Sequence, residues 1–153
     1  MDEISLILKE LKKAVGKVDK KKTKIFVNEI ANAKSILVVG KGRSGYVGQS
    51  FSMRLKHLGL KTGQDLVITI SGSGKIKQTI KKNKKGKSVL ITMNKNCVLA
   101  KKSDLVIELK SKKSKQPMRS LFEQSALIYL DSIIIILMEK LKISEKEMWK
   151  RHD

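Results

Sequence analysis

Four short runs of apolar and mostly β-branched residues recur through the middle of the chain. They are Ser35–Val39, Asp65–Ile70, Ser88–Met93 and Leu105–Leu109. A continuous apolar run of this length is typical of a strand buried on both faces, as the strands of a parallel sheet are. Segments whose apolar residues have helical spacing lie between these runs and on either side of them. The alternation predicts an α/β fold, in which helices cover both faces of a parallel sheet.

The predicted helices lie before, between and after these strands. Apolar residues spaced three and four apart indicate an amphipathic first helix from Ile4 to Val18, and a second helix is expected to end near Ala33. The later helices are expected over about Tyr46–Leu58 with Gly59 as C-cap, about Lys75–Lys82, Ser120–Leu141, and a short last helix with Ser144 and Glu147 as capping box. We expect a single domain over residues 1–153, with N-terminal helices over 1–33, the sheet and its loops over 34–109, and C-terminal helices over 120–150.

A large excess of positive charge raises the question of a nucleic-acid partner. The formal net charge is +20, yet only four of the 34 basic residues are arginines, and only 4% of all residues are aromatic. Arginine is the main reader of base edges, and aromatic rings form the stacking platforms of single-strand binding proteins. We therefore expect a solvated lysine surface that attracts small anions, with nucleic-acid association as the less favoured alternative.

Cysteine content and hydropathy favour a cytoplasmic protein. The single cysteine, Cys97, cannot form an internal disulfide, which fits a reducing compartment and a small buried side chain. The chain starts with the acidic pair Asp2 and Glu3, which is unlike a signal peptide. The most apolar stretch, Ala126–Met138, is interrupted by Asp131 and is shorter than the roughly 20 residues that span a bilayer. We expect it to be a core helix that can also form a subunit interface, with no membrane partner.

Two segments rich in glycine and serine follow the first two predicted strands. They are Gly40–Gly45, with the sequence GKGRSG, and Ser71–Gly74, with the sequence SGSG. The carboxyl ends of parallel strands meet at one edge of the sheet, where ligands of α/β proteins bind. Glycine lets backbone N–H groups approach an anion, a helix N-terminus adds partial positive charge, and serine hydroxyls add donors. We predict a phosphate cradle whose binding residues are Gly42, Arg43, Ser44, Ser71, Gly72 and Ser73.

Two other interpretations of these loops remain open. Gly40, Gly42 and Gly45 match the dinucleotide-binding fingerprint, which also needs an acidic residue about 20 positions on, at the end of the second strand. Asp65 has about this spacing but stands where a strand begins, so nicotinamide binding is disfavoured. Tight turns that need positive φ angles would explain the glycines but not the serines.

Three titratable side chains are candidates for proton transfer. Glu123 follows Pro117 at the start of the long predicted helix, where a carboxylate either complements the helix dipole or acts as a general base. His57 and His152 are the only histidines, and each is either structural or a proton shuttle near neutral pH.

Several motifs together resemble one known family. They are the glycine-rich loop and its helix, Arg54–Gly59, Ser71–Gly74, Pro117 and Met118 with Phe122 and Glu123, and the terminal pair Arg151 and His152. The chain resembles 6-phospho-3-hexuloisomerase, a family of the sugar isomerase (SIS) domain superfamily, over nearly its whole length. The stretch Val38–Leu60 is the most specific part of this resemblance.

The resemblance implies a flavodoxin-like three-layer sandwich, usually in a homotetramer, that interconverts 3-hexulose 6-phosphate and fructose 6-phosphate without metal or organic cofactor. By the same resemblance, Ser44, Ser71 and Ser73 hold the substrate's phosphate and sugar end. Glu123 is the base that passes through an enediol or enediolate. His57 or His152, of the same or of a neighbouring subunit, assists proton movement at the oxygens.

The chain departs from the family pattern at three places. Only Lys61–Gln64 stands where the family has a longer segment with a strand, so we expect a missing edge strand. Ile76 replaces a threonine after the serine loop. Arg119 replaces a glycine before Glu123, and either strains a backbone position with positive φ or adds a phosphate ligand. Besides an active isomerase, a catalytically inactive sugar-phosphate-binding module is therefore kept as the alternative.

Overall fold

The structure is a computed structural model that describes residues 1–75, 86–111 and 113–152. Its helices are α1 (Glu3–Val15), α2 (Lys20–Asn32), α3 (Gly42–His57), α4 (Val98–Lys102), α5 (Ser120–Leu141) and α6 (Glu145–Trp149). Its strands are β1 (Ile36–Gly40), β2 (Leu66–Ile70), β3 (Lys87–Thr92) and β4 (Leu105–Glu108), and a 3₁₀ turn over Pro117–Arg119 precedes α5. Each strand begins and ends within one residue of its predicted bounds, so the four strand predictions are confirmed.

The strands form one parallel sheet in the order β1-β2-β3-β4. Ile36 lies opposite Leu66, and Leu66 lies opposite Lys87. Val89 lies opposite Leu105 in the last pair. Because every pair is parallel, the carboxyl ends of all four strands lie at the same edge of the sheet.

Strand β1 forms one margin of the sheet, next to the segment where we expected a missing strand. Thr62 makes a one-residue parallel bridge with Ile36. The Ile36 N–H donates to the Lys61 carbonyl at 2.8 Å, and the Gly63 N–H donates to the Ile36 carbonyl at 3.1 Å. No other described segment pairs with the outer edge of β1. That edge is therefore open beyond its first residue.

Helices lie on both faces of the sheet. Successive side chains of a strand point to opposite faces, so the apolar strands need a cover on each face. In β3, Val89 and Ile91 belong to the main core, with apolar side chains of α2, α3 and α5. Leu90 points to the opposite face and packs with Cys97 and Ala100 at α4. These three layers confirm the predicted α/β class.

The short helix α4 explains the burial of the only cysteine. Cys97 is the N-cap residue of α4, and its Sγ accepts the Ala100 N–H at 3.4 Å. The expected small buried side chain is confirmed. The helix itself was not predicted, because five residues are too few to show helical spacing.

Helix α1 packs on α5 rather than on the sheet. Leu11 and Ala14 form a small buried cluster with Leu121. The Asp2 carboxylate caps the helix by accepting the Ser5 N–H at 2.9 Å. Helix α1 therefore stands at the outside of the helical layer, with its polar face in solvent.

Helix α5 is the central helix of the molecule. By length and composition it could cross a membrane, but half of its most apolar window is buried inside the protein. Ala126, Leu130 and Ile133 are almost fully buried against the sheet and its neighbouring helices. The helix runs over Ser120–Leu141 as predicted, and it packs as a core helix.

Two predicted helices need comment. Helix α3 begins at Gly42, four residues before the predicted start at Tyr46, so the second half of the glycine-rich segment is helical. Glycine has a low helix propensity, which is why the sequence indicated a turn there. The predicted helix at Lys75–Lys82, with Ile76, lies outside the described residues apart from its first position. The last helix is capped by Ser144 and Glu147 as predicted.

Candidate active site

The two glycine- and serine-rich segments meet at one edge of the sheet. Gly40, the last residue of β1, lies opposite Ile70, the last residue of β2. The two segments therefore leave neighbouring strands side by side, about 5 Å apart. This is the arrangement that the sequence predicted for a shared anion site.

The first segment joins β1 to α3 through contacts that only glycine permits. A Cβ on Gly40 would lie 2.9 Å from the Ser44 carbonyl group, and a Cβ on Gly45 would lie 2.9 Å from the Gly40 oxygen. Gly42 has a φ of +56°, and a Cβ there would meet nothing within 4 Å. The first N–H groups of α3 have no acceptor inside the helix. The amides of Gly42, Arg43 and Ser44 therefore have no acceptor within α3.

The second segment is a tight turn whose shape is fixed by its own side chains. The Ser71 hydroxyl accepts the Gly74 N–H at 3.1 Å, and the Ser73 hydroxyl accepts the Lys75 N–H at 3.3 Å. Gly72 is held on the β3 side, because its carbonyl accepts the Met93 N–H at 3.3 Å. A hydroxyl that accepts one bond can still donate its own proton. Within the described residues, the N–H groups of Gly72 and Ser73 have no partner.

The start of α5 adjoins both loops. A Cβ on Gly72 would lie 3.0 Å from the ring of Phe122, which shows how closely the serine loop approaches α5. The next residue, Glu123, lies 3.2 Å from Arg43, measured from Oε2 to Nε. Helix α5 therefore brings Glu123 to the edge of the sheet where the two loops lie.

Arg43 connects α3 to the start of α5. Its Nη1 donates to the Ser120 hydroxyl at 2.8 Å, and that hydroxyl donates to the Pro117 carbonyl at 2.7 Å. Its Nε forms the ion pair with Glu123, whose side chain is 14% exposed against 58% for Arg43. The Oε2 atom of Glu123 is buried and makes no hydrogen bond with any described residue. The same Oε2 atom faces Arg43 Nε, so the ion pair fixes the Glu123 carboxylate beside the start of α3.

A cavity of about 310 Å³ lies beside this ion pair. Arg43 and Glu123 line it from α3 and α5, together with Tyr46, Gln124 and Leu127. Its described lining includes none of the three predicted serine ligands Ser44, Ser71 and Ser73, and Ser44 is buried. The structure thus joins Glu123 to Arg43 in one cavity, while the serine turn lies next to it behind Phe122.

Sequence reasoning missed Ser120, although a signal for it was present. Ser120 and Glu123 form an S-x-x-E pattern, which often marks a helix N-terminus. In the structure the cap position belongs to Arg119, and the Ser120 hydroxyl binds Arg43 and Pro117 instead. The pattern pointed to the helix start but not to the partner on α3.

The turn before α5 has the unusual backbone that the family's glycine suggested. Arg119 has a φ of +64°, and its neighbour Met118 has a φ of +54°. Left-handed conformations cost roughly 1–2 kcal/mol for residues with a Cβ. The positive φ that was one of the possibilities considered for Arg119 is therefore present.

The two histidines lie together, but they lie far from Glu123 within one chain. Their ring centroids are 5.4 Å apart, and Trp149 lies 5.2 Å from His152. Both line a cavity of about 380 Å³ with Arg54. His57 is the last residue of α3, and Arg43 lies in its first turn. The 14 residue steps between them, at a rise of 1.5 Å each, separate His57 from Arg43 by about 21 Å. The role of His57 and His152 in proton transfer stays a prediction that needs a neighbouring subunit.

The structure does not support dinucleotide binding or a metal centre in the part of the chain it describes. Asp65 precedes β2 and accepts the Lys34 N–H at 2.7 Å, at the edge of the sheet opposite to the glycine loop. It therefore cannot reach a ribose beside that loop. No group of three or more His, Cys, Asp or Glu side chains is gathered among the described residues.

Relatives of known name share this fold and sequence. No family model matches the chain. A protein of Methanocaldococcus jannaschii named 3-hexulose-6-phosphate isomerase is 39% identical over 150 residues, which covers 87% of this chain and 83% of the relative. A Bacillus subtilis protein of the same name is 33% identical, with coverage of 97% and 95%.

A solved structure agrees with these matches. It is a protein of Methanococcus jannaschii for which a molecular function of 3-hexulose-6-phosphate isomerase was inferred. It superposes with a TM-score of 0.85 at 35% identity and covers all of this chain and 98% of its own. Matches of this length and identity show that the chain belongs to the 3-hexulose-6-phosphate isomerase family.

Proposed function

We propose that this chain interconverts 3-hexulose 6-phosphate and fructose 6-phosphate in the cytoplasm. Membership of the family supports this reaction. The observation that carries the proposal is the position of Glu123, whose mostly buried carboxylate is held against Arg43 by an ion pair at 3.2 Å. Arg43 joins this carboxylate to the first loop, and Phe122 brings it next to the second.

The substrate's phosphate binds at the carboxyl edge of β1 and β2 in this proposal. The amides of Gly42 to Ser44 at the start of α3 supply donors from one side. The N–H groups of Gly72 and Ser73, which have no partner among the described residues, supply donors from the other. The Ser71 and Ser73 hydroxyls add donors that carry no charge. The lysine-rich surface raises the local concentration of such an anion.

Glu123 moves a proton between adjacent carbons. The carbonyl lies at C3 of the 3-hexulose and at C2 of fructose. A base that takes the C2 proton of the 3-hexulose leaves a 2,3-enediolate. Return of that proton to C3, with transfer of the hydroxyl proton from O2 to O3, gives the fructose isomer. No electron leaves the substrate, so the proposal includes no cofactor, and such a base contributes about 10²- to 10⁴-fold.

We further propose that the chain acts as a homo-oligomer. The outer face of α5 exposes Leu127, Ile128, Ile135 and Ile136, which a second subunit would cover. A neighbouring subunit is also the route by which His57 or His152 could approach Glu123, because one chain keeps His57 about 21 Å from Arg43 and His152 packs against His57.

The test is an isomerase assay with the Glu123→Gln variant. Fructose 6-phosphate is supplied, and formation of the 3-hexulose isomer is followed. We expect the wild type to turn over and the variant to lose at least about 100-fold in kcat, because the amide cannot accept the proton. Binding of fructose 6-phosphate should persist in the variant and raise its melting temperature.

The matched control is Glu139→Gln, which removes an exposed carboxylate from the same helix. It should leave kcat unchanged. Fructose 6-phosphate binding to the wild type without any turnover would overturn the enzyme assignment and leave a sugar-phosphate-binding module. Equal activity of Glu123→Gln and wild type would remove Glu123 from the base role.

A further inference from the structure

A second cavity lies outside the candidate active site, between α1 and the segments that follow β3 and β4. Its volume is about 850 Å³. Leu121 lies in its lining, whereas Glu123 lines the other cavity. Two residues along a helix point about 200° apart, so the two cavities lie on different faces of α5. We call the second cavity the lysine cleft.

One wall of the lysine cleft is a row of ammonium groups along α1. Lys9 and Lys13 lie four residues apart on the helix, and Lys17 follows four residues later. All three are exposed. Lys9 and Lys13 carry like charges four residues apart within α1, which weakens the helix, whereas Lys17 lies beyond its end at Val15. Nothing in the packing of α1 on α5 requires these charges.

The opposite wall repeats the pattern from different segments. Lys95 follows β3, and Lys110, Lys113 and Lys115 lie between β4 and α5. None of the seven lysines of the cleft forms an ion pair with another described residue. The cleft therefore concentrates positive charge on both sides of one concave space.

Acidic residues compensate little of this charge. Glu10 and Glu108 are the only carboxylates in the described lining. Glu10 accepts from Ser114 Oγ at 2.7 Å, from the Lys115 N–H at 3.0 Å and from Gln116 Nε2 at 3.0 Å, and these bonds hold its pKa below the usual range. Glu10 thus ties α1 to the opposite wall and fixes the width of the cleft.

We propose that the lysine cleft binds a small molecule that carries several phosphoryl groups. Lysine ammonium groups bind phosphate as point charges, and two facing rows suit a compact polyanion. The lining contains no arginine and no aromatic side chain among the described residues, so it offers neither base readout nor a stacking platform for a nucleic-acid strand. Met93 and Leu121 form a buried apolar floor that can accept a non-phosphate portion.

The test is titration calorimetry of the whole protein with inorganic tripolyphosphate at low salt. We expect saturable binding that weakens as salt is raised, because salt screens exposed charges. The variant Lys9→Gln/Lys13→Gln should bind about five- to tenfold more weakly, because it removes two of the seven lysines of the cleft and each exposed charge contributes a modest attraction. Saturating fructose 6-phosphate should not displace the probe. ATP in place of tripolyphosphate tests whether an attached nucleoside adds affinity.

The matched control is Lys146→Gln/Lys150→Gln, which removes two exposed lysines at the same spacing near α6. It should change the affinity less than twofold. Equal weakening in both double variants would show only a diffuse surface field and would overturn the proposal. So would absence of binding, competition by fructose 6-phosphate, or binding of a single-stranded oligonucleotide without binding of tripolyphosphate or ATP. These outcomes are independent of whether the isomerase assay succeeds.

Discussion

At the scale of single residues, Arg43 links the chemistry of the site to its architecture. One guanidinium contacts Glu123 through Nε and Ser120 through Nη1. The sequence predicted Arg43 as a substrate ligand, and the structure gives it a second task, which is to hold the proposed base. The rigid fork of arginine can serve two acceptors at once, whereas a lysine ammonium is a compact point charge.

We expect Arg43→Lys to lower kcat by about tenfold and to leave the fold intact, because the charge stays while the bridge between Glu123 and Ser120 is lost. Ser120→Ala removes one end of the bridge and should give a smaller loss. Steady-state kinetics with circular dichroism check both. Full activity of Arg43→Lys would show that the bridge has no positioning role.

Arg119 gives a second prediction at this scale, because its φ of +64° disfavours any side chain with a Cβ. Arg119→Gly should stabilise the protein by about 0.5–1 kcal/mol, since relief of strain exceeds the entropy that glycine adds to the unfolded chain. Urea unfolding measures the change. Lys142→Gly is the parallel variant, at a φ of +54° after α5.

The same variant separates the two roles considered for Arg119. If the side chain only occupies a strained turn, activity is unchanged or rises as stability rises. If it binds phosphate, KM for fructose 6-phosphate rises while the stability gain remains.

At the scale of elements, the contact between α2 and α5 contains a buried phenol. The Tyr129 hydroxyl lies 3.0 Å from Thr23 Oγ1, and the Tyr129 ring stacks on Phe26 with centroids 6.3 Å apart. Burial raises the pKa of Tyr129 to about 12. This contact ties the N-terminal helices to the central helix of the core.

The free energy of unfolding should fall between about pH 10 and pH 12. The reason is that the Tyr129 phenol ionises at a lower pH in the unfolded chain than in the folded one, which favours the unfolded state. The full loss is about 2–3 kcal/mol by this linkage. Tyr129→Phe keeps the stacked ring, costs about 1 kcal/mol at pH 7 through the lost hydrogen bond, and removes this alkaline loss. Denaturant unfolding of both proteins at pH 8 and pH 11 provides the check. A constant difference between them would contradict the buried-phenol account.

The elements also show where sequence reasoning was sufficient. The strands were predicted because buried parallel strands are continuous apolar runs, and α5 was predicted to the residue because its helical pattern spans 22 residues. The early start of α3 was missed because three glycines lie within it, at Gly42, Gly45 and Gly48. Gly42 has a positive φ, and Gly45 lies close to Gly40 of β1. The backbone geometry that requires these two glycines is visible only in the fold.

The candidate site was predicted in part for a similar reason. Loop sequences show which residues carry donors, so Ser71, Ser73 and Glu123 could be selected directly. The pairing of Arg43 with Glu123 joins residues 80 positions apart, and one sequence contains no information about such contacts. The separation of the histidines from Glu123 likewise follows only from the length of α3.

At the scale of the whole molecule, the exposed apolar face of α5 predicts self-association. Ile135 is 68% exposed, and its neighbours Ile128 and Ile136 are partly exposed on the same helix. We expect a dimer or tetramer by light scattering, and Ile135→Glu should shift it to smaller species because a charge cannot be buried unpaired in an apolar interface. Lys12→Glu, on exposed α1, is the control and should leave the mass unchanged. A monomeric wild type at micromolar concentration would remove the oligomer from the proposal.

Because the outer edge of β1 is open, the large positive charge also has a role in preventing aggregation. An unpaired strand edge can form backbone hydrogen bonds with the strand edge of another copy, which leads to aggregation. Lys34 and Lys41 flank this strand and oppose its pairing with another strand edge. The net charge of +20 makes the molecules repel one another before their backbones can form hydrogen bonds. A chain with an open β1 edge can therefore remain dispersed at working concentrations, provided that ionic strength stays low enough for the repulsion to act.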